Sequence, residues 1–173
     1  MIFYVRKIIL GVIGAIVVYL LANGLYENSY HETIYTDNGE IRFSTEQLES
    51  FKVLQLQEQW RFVPFHAAPD GIQHVATQSI QMPFMERGLE KGTFALSMQL
   101  PEANRLYSLQ FNSYADELAI WVNEELIAQR SGTRSTNPII FYAEEKDVQL
   151  VIQSTSDIHN ISVVETPVFG AME

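Results

Sequence analysis

Residues 93–100, TFALSMQL, place an apolar side chain at every second position. A period of two sends alternate side chains to opposite faces of a β-strand, so one face is buried and the other is wetter. Three further stretches repeat this pattern. The apolar positions of the four stretches are Phe94, Leu96, Met98, Leu100, Tyr107, Leu109, Phe111, Leu118, Ile120, Val122, Val148, Leu150 and Ile152. The alternation predicts four strands that bury these side chains and turn Ala95 outward, with Trp121 facing solvent or a partner layer.

Weaker strand patterns cover residues 59–63, 78–82, 139–142 and 161–164. The segments between strands carry turn residues, at Pro69-Asp70-Gly71, Pro101, Gly132 and Asn137-Pro138. Short strands at this spacing, without alternating helices, predict an all-β fold, a jelly-roll β-sandwich of about eight strands. The aromatic residues of the first weak strand and the segment after it, Trp60, Phe62 and Phe65, are predicted to be buried.

An apolar segment precedes the β-rich part. Residues 8–22, IILGVIGAIVVYLLA, carry no charge, and with flanking residues they reach the length of about 20 that spans a bilayer as a helix. Arg6 and Lys7 precede the segment and Glu27 follows it, so the positive-inside rule places the N-terminus in the cytoplasm. We expect a signal-anchor or transmembrane helix over residues 1–26, an extracytoplasmic linker over 27–50 and the jelly roll over 51–173. The alternative is a cleaved signal peptide and secretion.

Composition excludes several classes of function. The chain has 173 residues, no cysteine and a formal net charge of −10, so its field repels nucleic acid and no thiol chemistry is available. The histidines are scattered without ligand spacing, which predicts no metal site. The acidic pairs Glu124-Glu125 and Glu144-Glu145 are interpreted as solvated turn residues. No catalytic motif is present, so we expect neither an enzyme nor a cofactor.

The loop over residues 129–138, QRSGTRSTNP, concentrates hydrogen-bond donors in an acidic protein. Arginine guanidinium groups suit carboxylates, and hydroxyl and amide groups suit sugars. The predicted ligand site therefore comprises Trp121, Arg130, Thr133, Arg134 and Asn137, and its predicted ligand is a carbohydrate or a small organic acid. The alternative is an ordinary polar loop.

A family resemblance runs over residues 51–170, through LQEQWRF at 56–62, MP at 82–83, GTFAL at 92–96 and IWVNEELI at 120–127. These residues resemble the extracellular jelly-roll sensor domain of bacterial seven-transmembrane receptors with diverse intracellular signalling modules. They are similar also to the sugar-binding jelly-roll domain of family-two glycoside hydrolases. Glu124 stands where the family has a hairpin glycine, which suggests another turn type.

The resemblance implies an anchored sensory or ligand-binding module, as the sensor part of a bacterial signalling receptor. Two other interpretations stay open at this stage. One is a membrane-tethered domain that contacts another protein, such as a partner membrane protein, without a small ligand. The other is a carbohydrate-binding accessory domain of a glycosidase.

Overall fold

The computed structural model describes residues 30–31, 34–35, 40–46, 53–131, 137–158, 160–163 and 165–172. The predicted N-terminal helix, residues 1–26, lies outside the described residues. Within the described part, none of the helices has the length and apolar character needed to cross a bilayer.

Strands dominate the described part of the chain, joined by one short 3-10 helix, Ile72–His74. In chain order the strands are β1 (Tyr30–His31), β2 (Ile34–Tyr35), β3 (Ile41–Arg42), β4 (Val53–Gln55), β5 (Trp60–Val63), β6 (Gln78–Ile80), β7 (Phe84–Arg87), β8 (Lys91–Gln99), β9 (Arg105–Gln110), β10 (Glu117–Val122), β11 (Glu125–Ser131), β12 (Ile139–Ala143), β13 (Asp147–Thr155), β14 (Asn160–Val163) and β15 (Val168–Ala171). Each of the eight predicted segments overlaps an observed strand, and the other strands, among them β11 with seven residues, were not predicted.

Two sheets face each other. The large sheet runs in the order β11-β10-β13-β8, and β8 pairs on its other side with both β3 and β5. The small sheet has the order β1-β4-β15-β9-β12, while β7 and β14 form a separate pair. Most neighbours are antiparallel, and two short parallel pairs, β1 with β4 and β3 with β8, involve the N-terminal strands. The architecture is an all-β sandwich, as the sequence predicts.

The main core fills the space between the two sheets. Of the eleven predicted apolar positions that lie on β8, β9, β10 and β13, ten are buried and Leu118 is partly buried. Leu100 and Phe111, which lie beside those strands, are buried too. Aromatic rings from the small sheet stack within it, with 5.4 Å between the ring centroids of Tyr107 and Phe169. Phe43 stacks on Phe169 at 5.1 Å, so residues before position 51 also enter the core. The alternation thus identifies the core faces correctly.

Trp60 and Phe62 are buried as predicted, whereas the prediction that Phe65 is buried is wrong. Trp60 is fully buried, and its indole N–H donates to the carbonyl oxygen of Leu56 at 2.8 Å, which satisfies its polar group. Phe62 is buried beside it in the same strand, but Phe65 is 47% exposed. Phe65 follows the end of β5, where the strand alternation no longer fixes which way a side chain points.

A second, smaller apolar cluster covers the outer face of the large sheet. Residues 64–77 cross this face, and Ala67 and Ile72 pack on Ala95 and Val151. The hydroxyl of Thr93 donates to the carbonyl oxygen of Phe65 and accepts the N–H of Ala67, which ties the segment to β8. Ala95 is therefore completely buried, contrary to its predicted wet face, because the alternation of one strand cannot show what covers its second face.

Candidate functional site

A cavity of about 470 Å³ lies at the end of the sandwich where the β10–β11 hairpin and the β12–β13 turn meet. Glu40, next to β3, completes this end, and Gln73 of the 3-10 helix reaches it from the outer side of the large sheet. We call this space the end cavity. Its volume falls in the range typical of small-molecule sites.

Carboxylates dominate the polar lining of the end cavity. Six of the described lining residues are acidic: Glu40, Glu124, Glu125, Glu144, Glu145 and Asp147. No lysine, arginine or histidine is among the described lining residues. In the described part of the chain an ion pair joins Arg105 to Glu102, which do not line the cavity. Carboxylates grouped in a concave site focus a negative potential that attracts cationic groups and repels anions.

Two amide side chains occupy the wall beside the hairpin. The side chain of Asn123 bridges to β13: its Nδ2 donates to the carbonyl oxygen of Asp147 at 3.1 Å, and its Oδ1 accepts the N–H of Gln149 at 2.7 Å. These bonds fix the turn of the hairpin to the first residues of β13. The side-chain nitrogen of Gln149 is buried and has no hydrogen-bond partner in the described structure.

The hairpin turn places two adjacent acids at the mouth of the cavity. Asn123 and Glu124 both have positive φ, at 45° and 71°. Positive φ at both central residues is the requirement of a type I′ turn, which matches the twist of the flanking strands. The expectation of another turn type, made because Glu124 replaces glycine, is therefore wrong. The left-handed backbone is retained at a cost of about 1–2 kcal/mol for a non-glycine residue.

The rest of the lining is apolar. Met98, Val122, Ile127 and Val148 contribute aliphatic surface from the large sheet. Tyr142 is the aromatic residue among the described lining residues, and it is 52% exposed. Its hydroxyl donates to Oδ1 of Asn104 at 3.4 Å. The cavity lining thus combines aliphatic groups with acceptor-rich polar side chains.

Of the residues predicted to bind a ligand, Trp121, Arg130 and Asn137 are described, and none of these three lines the end cavity. Gln129, Arg130 and Ser131 belong to β11, so the predicted loop begins later than the sequence suggested. Arg130 donates from Nη2 to the carbonyl oxygen of Asn137 at 2.7 Å, and its partial burial lowers the pKa of its guanidinium group. Thr133 and Arg134 lie outside the described residues. The strand rise places Arg130 roughly 17 Å from Glu125 at the cavity mouth, toward the opposite end of β11.

Trp121 faces the second apolar cluster and not open solvent. It pairs across the sheet with Leu126 and Val151, and its side chain packs, partly buried, against the second apolar cluster, to which the segment 64–77 contributes Ala67 and Ile72. Its indole nitrogen is buried without a hydrogen-bond partner in the described structure. The side chain of Trp121 therefore belongs to an apolar cluster on the outer face of the large sheet. The structure joins Arg130 to Asn137 but does not join either to Trp121 by a described contact.

Sequence reasoning missed the residues of the end cavity. The acidic pairs Glu124-Glu125 and Glu144-Glu145 were interpreted as solvated turns, and each residue is indeed exposed. Their significance comes from the two turns lying at the same end of the sandwich. Two acidic turns after strands of opposite sheets were the signal available in the sequence.

Comparisons with known proteins identify the fold. No family model and no curated protein sequence matches this chain. A glycosyl hydrolase family 2 member from Bacteroides cellulosilyticus matches with a TM-score of 0.59 and 11% identity, over 70% of this chain and 21% of that chain. A putative β-galactosidase from Bacteroides fragilis matches with a TM-score of 0.56 and 11% identity, over 70% and 23%. A β-glucuronidase from Bacteroides uniformis gives 0.56 and 10%, over 69% and 18%.

This chain therefore has the fold of one part of family-two glycosidases. It spans about a fifth of the length of the solved chains that it matches. At these identities the likeness shows the fold alone, and it supports the resemblance to the family-two glycoside hydrolase domain at that level. The resemblance to a receptor sensor domain remains a prediction.

Proposed function

We propose that this chain holds a non-catalytic carbohydrate-binding domain at the outer side of a membrane. The observation that carries the proposal is the end cavity, whose lining combines carboxylates and amides with aliphatic side chains. Sugars present hydroxyl groups around an apolar ring face, and recognition sites match them with a few oriented polar groups over apolar surface. The fold shared with part of several glycosidases supports the same class of ligand.

A role without catalysis fits the extent of the structural match. About a fifth of each matched glycosidase corresponds to this chain, so most of each enzyme lies outside the shared fold. Glycoside hydrolysis needs two carboxyl groups held across a scissile bond in defined geometry. The cavity acids Glu124, Glu144 and Glu145 lie on turns and Glu125 begins β11, and all four are exposed, so their side chains have little support to hold such a geometry.

The N-terminal segment supports the membrane part of the proposal. Residues 8–22 carry no charge, and Arg6 and Lys7 lie on their N-terminal side. A helix of this kind would display the sandwich outside the cytoplasmic membrane. The sandwich would then report an external sugar as the sensor part of a bacterial signalling receptor.

The test is a binding screen of the full chain in detergent against an oligosaccharide array, followed by calorimetry on each hit. We expect at least one oligosaccharide to bind with a Kd between about 1 μM and 1 mM. Mass spectrometry of the recovered ligand should find it uncleaved. Absence of binding across the array would remove the carbohydrate assignment, and cleavage would make the domain catalytic.

Exposed side chains on the small sheet favour a second candidate, a surface for another protein. Leu106, Ile140 and Tyr142 are each more than two-fifths exposed, and Tyr142 lies directly opposite Leu106 across β12 and β9. A photo-crosslinking residue at position 140 would test this candidate in intact cells. Crosslinking to a membrane protein, with no binding on the oligosaccharide array, would favour it over the first.

A further inference from the structure

The sheet edges on one side of the sandwich are long, whereas the other described edges are short. The small sheet ends at β12, which has five residues, and the large sheet ends beside it at β11, which has seven. The other described edge strands, β1, β2 and β6, have two or three residues each. Short edge strands are one way in which proteins avoid pairing with another chain, so β11 and β12 form the side on which such pairing is available.

The strand β12 carries no charged side chain, and its outward face is apolar. Its sequence, IIFYA, alternates buried and exposed residues, and the exposed ones are Ile140 and Tyr142. Leu106 of β9 lies directly opposite Tyr142 and is exposed as well. Proteins commonly place a lysine or another charged residue on an exposed edge strand to prevent pairing. Pro138 precedes β12 and leaves the strand itself open to a partner.

The hydrogen bonds toward β9 show which backbone groups of β12 point to its free side. The carbonyl oxygen of Ala143 accepts the N–H of Asn104 at 2.7 Å, just before β9, so the backbone groups of Ala143 point toward β9. Successive residues of a strand direct their N–H and C=O groups to opposite sides. The N–H and C=O groups of Ile140 and Tyr142 therefore point away from β9, where no described strand pairs with them.

We infer that β12 is the interface of a two-fold dimer, in which it pairs antiparallel with β12 of a second copy of this chain. A two-fold axis at Phe141 places Ile140 directly opposite Tyr142 of the second copy, and the two strands then exchange about four backbone hydrogen bonds. The exposed apolar side chains form cross-strand pairs over the axis, continuous with Leu106. The two small sheets become one sheet, and neither β12 edge stays open.

The charges along this edge favour a second copy over an unrelated strand. Glu144 and Glu145 follow β12 and are exposed, and Lys146 offsets one of their charges. At the other end Arg130 donates to the carbonyl oxygen of Asn137 at 2.7 Å, so its guanidinium group lies beside position 137. The two-fold pairing brings position 145 of one copy opposite position 137 of the other, which sets each acidic end against a guanidinium group. A parallel pairing would set like charges against each other.

The dimer does not depend on the proposed binding of a carbohydrate, but it changes the same site. Tyr142, Glu144 and Glu145 also line the end cavity. The pairing brings Arg130 of the second copy to the mouth of each end cavity, whose described lining has no basic residue of its own. Each copy therefore adds a cation beside the carboxylates of the other.

Disulfide formation tests the register, because the full chain has no cysteine of its own. Chains with Ile140→Cys are mixed with chains with Tyr142→Cys in detergent and oxidised. We expect the mixture to form linked dimers severalfold faster than either variant alone, because only the mixed dimer has two cysteines directly opposite, with Cβ atoms about 4.5–5.5 Å apart. The like pairs lie on the diagonal, about 7–8 Å apart. Glu86→Cys, at an exposed position of β7, measures random collision.

A second measurement removes the pairing and leaves the core unchanged. Ile140→Pro deletes an N–H that points to the free side, so β12 keeps its bonds to β9 while the dimer loses a donor from each copy. By sedimentation in detergent we expect the unchanged chain to dimerise with a Kd of about 1–100 μM, as small interfaces do, and the variant to stay monomeric. Ile140→Lys keeps the backbone donor and should raise the Kd about tenfold, which provides the test if the proline variant does not fold.

Charge reversal tests the complementarity of the two ends. Arg130→Glu should raise the Kd of the dimer about tenfold, because it sets like charges against each other at both ends of the interface. Adding Glu145→Arg to Arg130→Glu should restore most of the affinity, since the charges are exchanged but still opposite. Adding Glu86→Arg instead gives the same net charge away from β12 and should restore none of it.

Three outcomes overturn the inference. A full chain that is monomeric at every concentration would exclude the dimer. A dimer that persists in both Ile140→Pro and Ile140→Lys, with no faster linking in the cysteine mixture, would exclude β12 as its interface. A loss on Arg130→Glu that Glu145→Arg does not restore would exclude the two-fold register. All three leave the carbohydrate-binding proposal standing, and a chain that binds no oligosaccharide leaves the dimer standing.

Discussion

Two glutamines on β13, Gln149 and Gln153, point to the same face of the large sheet but differ in their hydrogen bonds. Gln153 donates from Nε2 to the carbonyl oxygen of Ala67 at 2.9 Å and so helps to hold the segment 64–77. The nitrogen of Gln149 is buried without a partner. Replacing a hydrogen-bonded side chain by an apolar one leaves its former acceptor without a donor. Replacing a buried polar side chain that has no partner removes the free-energy cost of burying that polar group.

We therefore expect opposite effects from the same substitution. Gln153→Met should lower the free energy of unfolding by about 1–3 kcal/mol, because the Ala67 carbonyl loses its donor. Gln149→Met should leave it unchanged or raise it slightly. Urea unfolding followed by tryptophan fluorescence measures both, with each variant the control for the other. Equal losses in the two variants would mean that Gln149 has a partner in solution.

For individual residues, the sequence predicts burial better than it predicts hydrogen-bond partners. The period of two identified the core positions on four strands, because a strand offers only two faces. The burial of Trp60 followed from its place in an apolar strand. The unsatisfied nitrogen of Gln149 could not be predicted, because a hydrogen-bond partner is supplied by strands distant in sequence.

The β10–β11 hairpin is part of the large sheet, and the residues at its turn line the end cavity. Its turn uses Asn123 and Glu124 in left-handed backbone, and the Asn123 side chain also bonds to β13. Asparagine tolerates this backbone well, and glutamate does so less readily. The element therefore has one favourable and one unfavourable turn residue.

Substitutions in this turn should change stability in opposite directions. Asn123→Ala should lower the free energy of unfolding by about 1–3 kcal/mol, since the N–H of Gln149 and the carbonyl of Asp147 lose their partner. Glu124→Gly should leave it unchanged or raise it by up to about 1 kcal/mol, because the relief of left-handed strain exceeds or offsets the flexibility that glycine adds to the unfolded chain. Urea midpoints at constant m-value measure both changes. A loss on Glu124→Gly would show that the acid makes a stabilising contact.

The strand β11 shows why one element escaped prediction. Its partner register shifts between Ile120 and Trp121, which face Ala128 and Leu126, so that Ile127 is an extra residue. Such a bulge interrupts the two-residue alternation of apolar and polar side chains on which strand prediction depends. The residues 129–131 were consequently assigned to a loop, and Arg130 was placed in that loop with them.

On the scale of the whole molecule, the end cavity draws on segments far apart in the chain. Glu40, Gln73, Glu124 and Glu144 come from four separate connections and reach one end of the sandwich through the order of the strands. Local patterns determine the fold class because every strand carries them. They do not determine which turns share an end, because that depends on the pairing of strands distant in sequence.

The orientation of the whole chain gives the last prediction. Arg6 and Lys7 before the apolar residues 8–22 favour a cytoplasmic N-terminus, so the sandwich should lie outside. The chain has no cysteine, so labelling of an introduced cysteine shows on which side of the membrane that position lies, and no other residue of the chain is labelled. A membrane-impermeant maleimide should label Glu86→Cys, an exposed site on β7, in intact spheroplasts.

The matched variant Tyr4→Cys should be labelled only after lysis, because its residue stays on the cytoplasmic side. Cleavage of a signal peptide would give a different result: the mature chain of the Tyr4→Cys variant would be shorter, would lack the introduced cysteine, and would not be labelled even after lysis. Labelling of Glu86→Cys only after lysis would place the sandwich in the cytoplasm. The end cavity would then face cytoplasmic solutes, and an external sugar could not be its ligand.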